Sequence, residues 1–127
     1  MNTNLKSLLE AASQTIPSCT VADAQPLLGS HDVIFVDVRD QQEVLTDGKL
    51  PGSVNISRGM LEFAIDPQSP YYQPLFWSDK RLIFYCKSGG RSALAAQRAK
   101  EMGVQNILNM TGGLLEWKKA EAPIQYA

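Results

Sequence analysis

The stretch FYCKSGGRSALAAQ, residues 84–97, sets a cysteine after two aromatics and follows it with two glycines, an arginine and an alanine-rich run. A thiol placed where a strand ends and a helix begins sits in an electropositive position. The first N–H groups of a helix have no backbone partner, and the aligned peptide dipoles add partial positive charge. Gly89 and Gly90 permit conformations that turn successive N–H groups inward, forming a nest for an anion. Lys87 and Arg91 add full charges, with Ser88 between them in the same loop. Comparable surroundings lower a cysteine pKa to ~3.5–7.5, so Cys86 is expected to be a thiolate that needs no general base. Such a cradle fits two anionic cargos, phosphate or a sulfane sulfur carried as Cys–S–S⁻. The structural alternative is a small buried residue closing a core strand.

Around this loop, Asp37 ends an apolar run, where it either orients groups beneath the loop or caps the following turn. Arg58 follows a short strand at the same sheet edge and either binds an anionic substrate or stays solvated. Ser92 falls in the first helical turn and is expected to support it. Gly112 and Gly113 supply a tight strand-to-helix turn. Cys19, in IPSCTVAD, has no glycine-rich loop behind it and reads as structural. The only histidine, His31, lies in the turn-like GSHD, so a metal site of the usual His/Cys type is not expected.

Elements must hold these residues in place. TNLKSLLEAASQ puts Leu5, Leu8, Leu9 and Ala12 on one helical face, and TVADAQPLL starts a second helix with Thr20 as N-cap and Asp23 in its first turn. DVIFVDVR and RLIFYC are continuous apolar runs, suited to strands buried on both faces; GSVNIS and NILNM are shorter strands. RSALAAQRAKEMG carries Ala95, Ala96, Ala99 and Met102 on one face and stops at Gly103, a natural C′ residue. GGLLEWKKAEAPI reads as a closing helix. Strands alternating with helices indicate βαβ units, hence an α/β fold with a mainly parallel sheet and helices on both faces. Ligands of such sheets bind outside the carboxyl ends of the strands, where Cys86, Asp37 and Asn55 all fall. Residues 58–80 are rich in proline and aromatics. They form either a surface connection with Phe76 and Trp77 docked on the core, or a lid or partner-facing wall beside the cysteine loop.

At 127 residues, with 44% apolar and 20% charged residues, the chain is expected to be one domain spanning 1–127. A net charge of −1 gives no global field for nucleic acid or an anionic membrane. The N-terminus has no basic region before a long apolar core, and no run reaches a membrane span, so a cytoplasmic protein is expected. In that compartment Cys19 and Cys86 are expected to be free thiols.

Four separated motifs, VDVRDQQE, GKLPGSVNI, FYCKSGGRSALAA and NMTGGLLEW, occur in the order and spacing of the rhodanese-type sulfurtransferases, which the chain resembles over about residues 18–121. Residues 1–17 are then an N-terminal helical extension. The resemblance implies a three-layer fold with a five-stranded parallel sheet, Cys86 as the sulfur-accepting nucleophile, residues 87–91 as its cradle and Ser92 as support. It implies no cofactor or metal, a small anionic sulfur donor such as thiosulfate, and a thiol or protein acceptor. One departure is Lys49, which stands where the family often has histidine; it lies on a connecting turn and is expected to be neutral for catalysis. The alternatives are a cysteine phosphatase or arsenate reductase, and a non-catalytic rhodanese-fold binding or regulatory module. A phosphatase loop needs five residues between cysteine and arginine, whereas four, Lys87 to Gly90, intervene here. Binding modules of the family commonly lose the cysteine, which this chain keeps.

Overall fold

The computed structural model describes residues 1–126. Its five strands are β1 (Ser18–Cys19), β2 (Val33–Asp37), β3 (Val54–Asn55), β4 (Arg81–Tyr85) and β5 (Ile107–Met110). They form one sheet in the order β1-β5-β4-β2-β3, and every pairing is parallel. The helices are α1 (Leu5–Thr15), α2 (Val21–Ala24), α3 (Gln41–Asp47), α4 (Leu61–Ile65), α5 (Gly90–Glu101) and α6 (Gly113–Lys119).

Strand pleating sorts the core into two layers, because successive side chains point to opposite faces. Leu82, Phe84 and Cys86 join Val36, Ala95, Ala96 and Ala99 on the face covered by α4 and α5. Ile83 and Tyr85 join Cys19, Met110, Leu114 and Trp117 on the face covered by α2 and α6. The alanines that leave α5 without bulk let it lie close on the sheet, and all three are fully buried. The two cysteines therefore face opposite sides of the sheet, and both are free.

Local signals explain the helix starts. Asn4 caps α1 by accepting from Ser7 N–H, and Thr20 and Asp23 form a reciprocal capping box at α2. Two elements escaped the reading of hydrophobic pattern. Strand β1 is two residues long, too short to show any period, and it continues as the N-cap of α2. Helix α3 has no buried residue; its one signal was Asp40 followed three residues later by Glu43, whose carboxylate accepts from Asp40 N–H at 3.2 Å. On α1 the structure buries Ala12 and half-buries Leu9, while Leu5 and Leu8 of the expected apolar face stay exposed.

Residues 58–80 divide into a 3₁₀ turn at Arg58–Met60, helix α4, and a second 3₁₀ turn at Pro74–Trp77. Phe76 docks edge-on against Phe84 in the core, as expected; Trp77 stays partly exposed, 43%, and donates its Nε1–H to the Ile65 carbonyl at 2.7 Å.

Candidate active site

Cys86 follows β4 directly, and its side chain is 1% exposed. Gly89 N–H points at its Sγ from 3.1 Å and the Ser92 hydroxyl stands 3.5 Å away. Burial alone pushes the thiol up. The Ser92 hydroxyl and the backbone N–H groups of Ser92, Gly89 and Ser88 outweigh it, so Cys86 is held below the ordinary thiol range. By contrast, burial and nearby Asp23 push Cys19 up, which leaves it an inert core thiol.

The loop reaches this geometry because Gly89 caps α5 at φ +111°, in the left-handed region that favours glycine. It is also gripped from the start of α6. Leu114 N–H donates to the Cys86 carbonyl at 2.9 Å and Leu115 N–H to the Lys87 carbonyl at 3.0 Å. A Cβ on Gly113 would lie 2.5 Å from that Cys86 oxygen, so the second glycine of the TGG turn is a condition of close approach as well as of tight turning.

Arg91 does not lend the cradle a free charge. Its guanidinium donates twice to the Glu43 carboxylate, at 2.6 and 2.9 Å, and this pairing holds Glu43 at about 2. The pair ties α3 to the end of the loop. Lys87 and Ser88 are exposed, and Lys87 forms no ion pair among the described residues. Negative charge on the sulfur is met by the Ser92 hydroxyl and by the backbone N–H groups of Ser92, Gly89 and Ser88.

Asp37 sits elsewhere. It accepts from Arg39 N–H at 3.1 Å, capping the turn after β2, and holds the Arg39 guanidinium at 2.6 Å; both side chains are essentially fully buried. Arg39 also donates to the Gly48 carbonyl and lies over the Tyr85 ring, on the sheet face away from Cys86. That ring contact is what faces the guanidinium, whose Nη1 has no hydrogen-bond partner among the described residues. Arg58 is half-exposed and bonded to Glu62 at 3.0 Å, and Glu62 also reaches Arg98 of α5. Asn55 donates to the carbonyls of Asp37 and Arg39.

Asn109 was not singled out in the sequence. It sits on β5 opposite Phe84, 7% exposed, with its Oδ1 2.6 Å from Ser92 Oγ and its Nδ2 3.3 Å from the Gly89 carbonyl. It touches two of the residues that donate to the sulfur, Ser92 and Gly89. The only hint was a polar residue inside an otherwise apolar strand. A cleft of about 520 Å³ between Arg81, Lys100 and residues 103–108 lies at the opposite end of β4 and shares no residue with this loop.

The rhodanese-like domain family model matches residues 20–120. The chain belongs to the rhodanese-like domain family. It is 30% identical to human thiosulfate:glutathione sulfurtransferase, over 84% of this chain and 96% of that protein. It is 35% identical to the Saccharomyces cerevisiae protein of the same name, over 80% and 78%. Among solved structures, a Rhodopseudomonas palustris protein of unknown function, described as a possible tyrosine phosphatase, matches with a TM-score of 0.94 and 46% identity, covering 98% of this chain and 96% of that one. The family to which the fold and sequence assign the chain is thus one of sulfurtransferases.

Proposed function

We propose that this protein is a rhodanese-type sulfurtransferase working through a persulfide on Cys86. The observation that carries the reading is the convergence of Gly89 N–H and the Ser92 hydroxyl on one buried sulfur that is held below the ordinary thiol range. In the first half-reaction the Cys86 thiolate attacks the outer sulfur of a donor. With thiosulfate, the S–S bond breaks and sulfite leaves with the electron pair. In the second, a thiophilic acceptor attacks the outer sulfur of the persulfide and Cys86 leaves as thiolate. This is double displacement through a covalent intermediate, and its electron balance needs no cofactor or metal. Residues 87–91 surround the transferred sulfur, Ser92 supports it, and Lys87 is the free cation that meets an anionic donor. Arg58 joins it only if its bond to Glu62 opens. We assign the protein to the cytoplasm, as one domain over residues 1–127.

The description of the palustris protein favours a second reading, phosphate-ester hydrolysis. Loop size speaks against it: Cys86 to Arg91 is six residues, a ring sized for one sulfur rather than a tetrahedral oxyanion. Intact-mass measurement after incubation with thiosulfate decides. One added sulfur on Cys86, lost in Cys86→Ala and kept in Cys19→Ala, supports transfer. No added sulfur together with hydrolysis of an aryl phosphate overturns it, and neither activity leaves a binding module.

A further inference from the structure

Residues 58–80 wall a cleft of about 590 Å³ that no step above uses. Gln41, Asn55, Ser57, Tyr71, Tyr72 and Gln73 line it. Its lining includes no acidic or basic side chain. Of the charged residues flanking the lining in sequence, Arg58 and Glu62 neutralise one another, while Asp40, beside Gln41, and Asp66, two residues after Ala64, form no ion pair among the described residues and add nothing that would attract an anion. Among the described residues, the polar side-chain ends of Gln41, Ser57, Tyr71, Tyr72 and Gln73 make no hydrogen bond within the protein. The volume falls in the range of small-ligand sites, roughly 300–1,000 Å³.

Position ties this cleft to the sulfur. Two of its wall residues, Ile56 and Ala64, belong to the apolar layer that also contains Cys86, so it opens on the same face of the sheet. It also lies at the same edge. Asn55 ends β3, and Gln41 opens α3 two residues before Glu43, the partner of Arg91. Asn55 and Tyr85 both pair with Asp37 from its two flanking strands, which separates them by two strand spacings, about 10 Å. Cys86 is the next residue. An extended peptide covers about 3.3–3.6 Å per residue, so three residues bridge that gap.

We propose that this cleft is the acceptor subsite, and that it takes an uncharged peptide segment whose cysteine thiol reaches the Cys86 persulfide. The inference rests on the sulfurtransferase reading and adds the acceptor's chemical class. A neutral cleft rich in amide and hydroxyl groups offers nothing to a thiosulfate dianion, which enters from the Lys87 side instead. It offers a peptide backbone uncommitted donors and acceptors. The acceptor thiolate attacks the outer sulfur of the persulfide; the old S–S bond breaks, its electron pair returns to Cys86, and the acceptor leaves carrying the sulfur.

The test is steady-state transfer from thiosulfate to three acceptors: acetyl-Cys-Gly-Gly-amide, N-acetylcysteine amide and cyanide. Wild-type protein is expected to prefer the tripeptide over N-acetylcysteine amide. Gln41→Trp, which fills the cleft, and Tyr71→Ala/Gln73→Ala, which strips it, are expected to lower the tripeptide-to-cyanide ratio of kcat/KM by about tenfold or more, the value of two ordinary hydrogen bonds. Both variants change exposed side chains. Mass detection of the Cys86 persulfide in each protein separates the two levels of the reading. An unchanged ratio with persulfide formed overturns the subsite, as does a wild type indifferent to acceptor length. No persulfide in the wild type overturns the sulfurtransferase reading and the subsite with it.

Discussion

Asn109 and Cys86 compete, together with the Gly89 carbonyl, for one proton, that of the Ser92 hydroxyl, whose oxygen lies 2.6 Å from Asn109 Oδ1, 3.1 Å from the Gly89 oxygen and 3.5 Å from Cys86 Sγ. A hydroxyl donates once. Asn109 is oriented for this, because its Nδ2 faces the Gly89 carbonyl, and a flipped amide would set two oxygens against each other. Two substitutions then act in opposite directions. Ser92→Ala deprives the thiolate of a donor, and the midpoint of Cys86 alkylation by iodoacetamide is expected to rise by about one to two pH units, the value of a hydrogen bond to a charged group. Asn109→Ala removes the nearest acceptor and leaves the proton to be shared by the sulfur and the Gly89 carbonyl, and the midpoint is expected to fall. A shift of the same sign in both would show that the two residues act only through packing.

Gly113 carries the clearest steric prediction. Its φ of +56° and the 2.5 Å approach of a Cβ to the Cys86 carbonyl leave alanine no place. Gly113→Ala is expected to displace the loop and lower thiosulfate:cyanide transfer by at least about 10²-fold, comparable to losing one preorganised donor. Gly52 is the control, since it shares the left-handed backbone, φ +77°, but has nothing within 4 Å of the added carbon. Gly52→Ala is expected to lower stability slightly and leave transfer near the wild-type rate.

The Glu43–Arg91 pair gives an acid-stability signature. Hydrogen bonding from Arg91 lowers the Glu43 carboxyl from its ordinary 4.5 to about 2 in the fold. The stability that this group contributes is therefore complete above the ordinary value and lost as pH falls through about 2. Thermal melts of wild type and Glu43→Gln are expected to differ most at neutral pH and to converge toward pH 2. A constant difference across that window would deny the linkage.

Arg39 is expected to matter for the fold and little for the sulfur. Arg39→Met leaves Asp37 charged and unpaired in a site with essentially no exposure, a loss of about 3–5 kcal/mol in urea unfolding. The alkylation midpoint of Cys86 in the folded variant is expected to stay close to wild type, because the pair sits on the opposite sheet face.

The chemistry was legible where it is local. Cysteine, glycines and helix start lie within seven consecutive residues, and the backbone supplies the donors, so Cys86 to Ser92 declared itself in the chain. What closes the site is distant: Glu43 meets Arg91 across 48 positions, and Asn109 meets Ser92 across 17. Each depends on strand order and register, which single-sequence patterns do not encode. Asp37 shows the converse. Its place at a strand end was readable, but which face it points to follows from the pleat, and that decided for the turn cap over the loop.

The strand order has one more consequence. Strand β1 pairs with β5 alone, so residues 18–19 find their only sheet partner about 90 positions later in the chain. As the polypeptide leaves the ribosome, β2, β3 and β4 can assemble while α1 and β1 wait. Pairings of such long sequence separation are the slow ones. The N-terminal segment therefore docks late, although it is made first. Until α5 and Ile107–Met110 emerge, the nascent chain holds out a free helix with Ala12 and Ile16 uncovered, available to a chaperone before it is available to its own core.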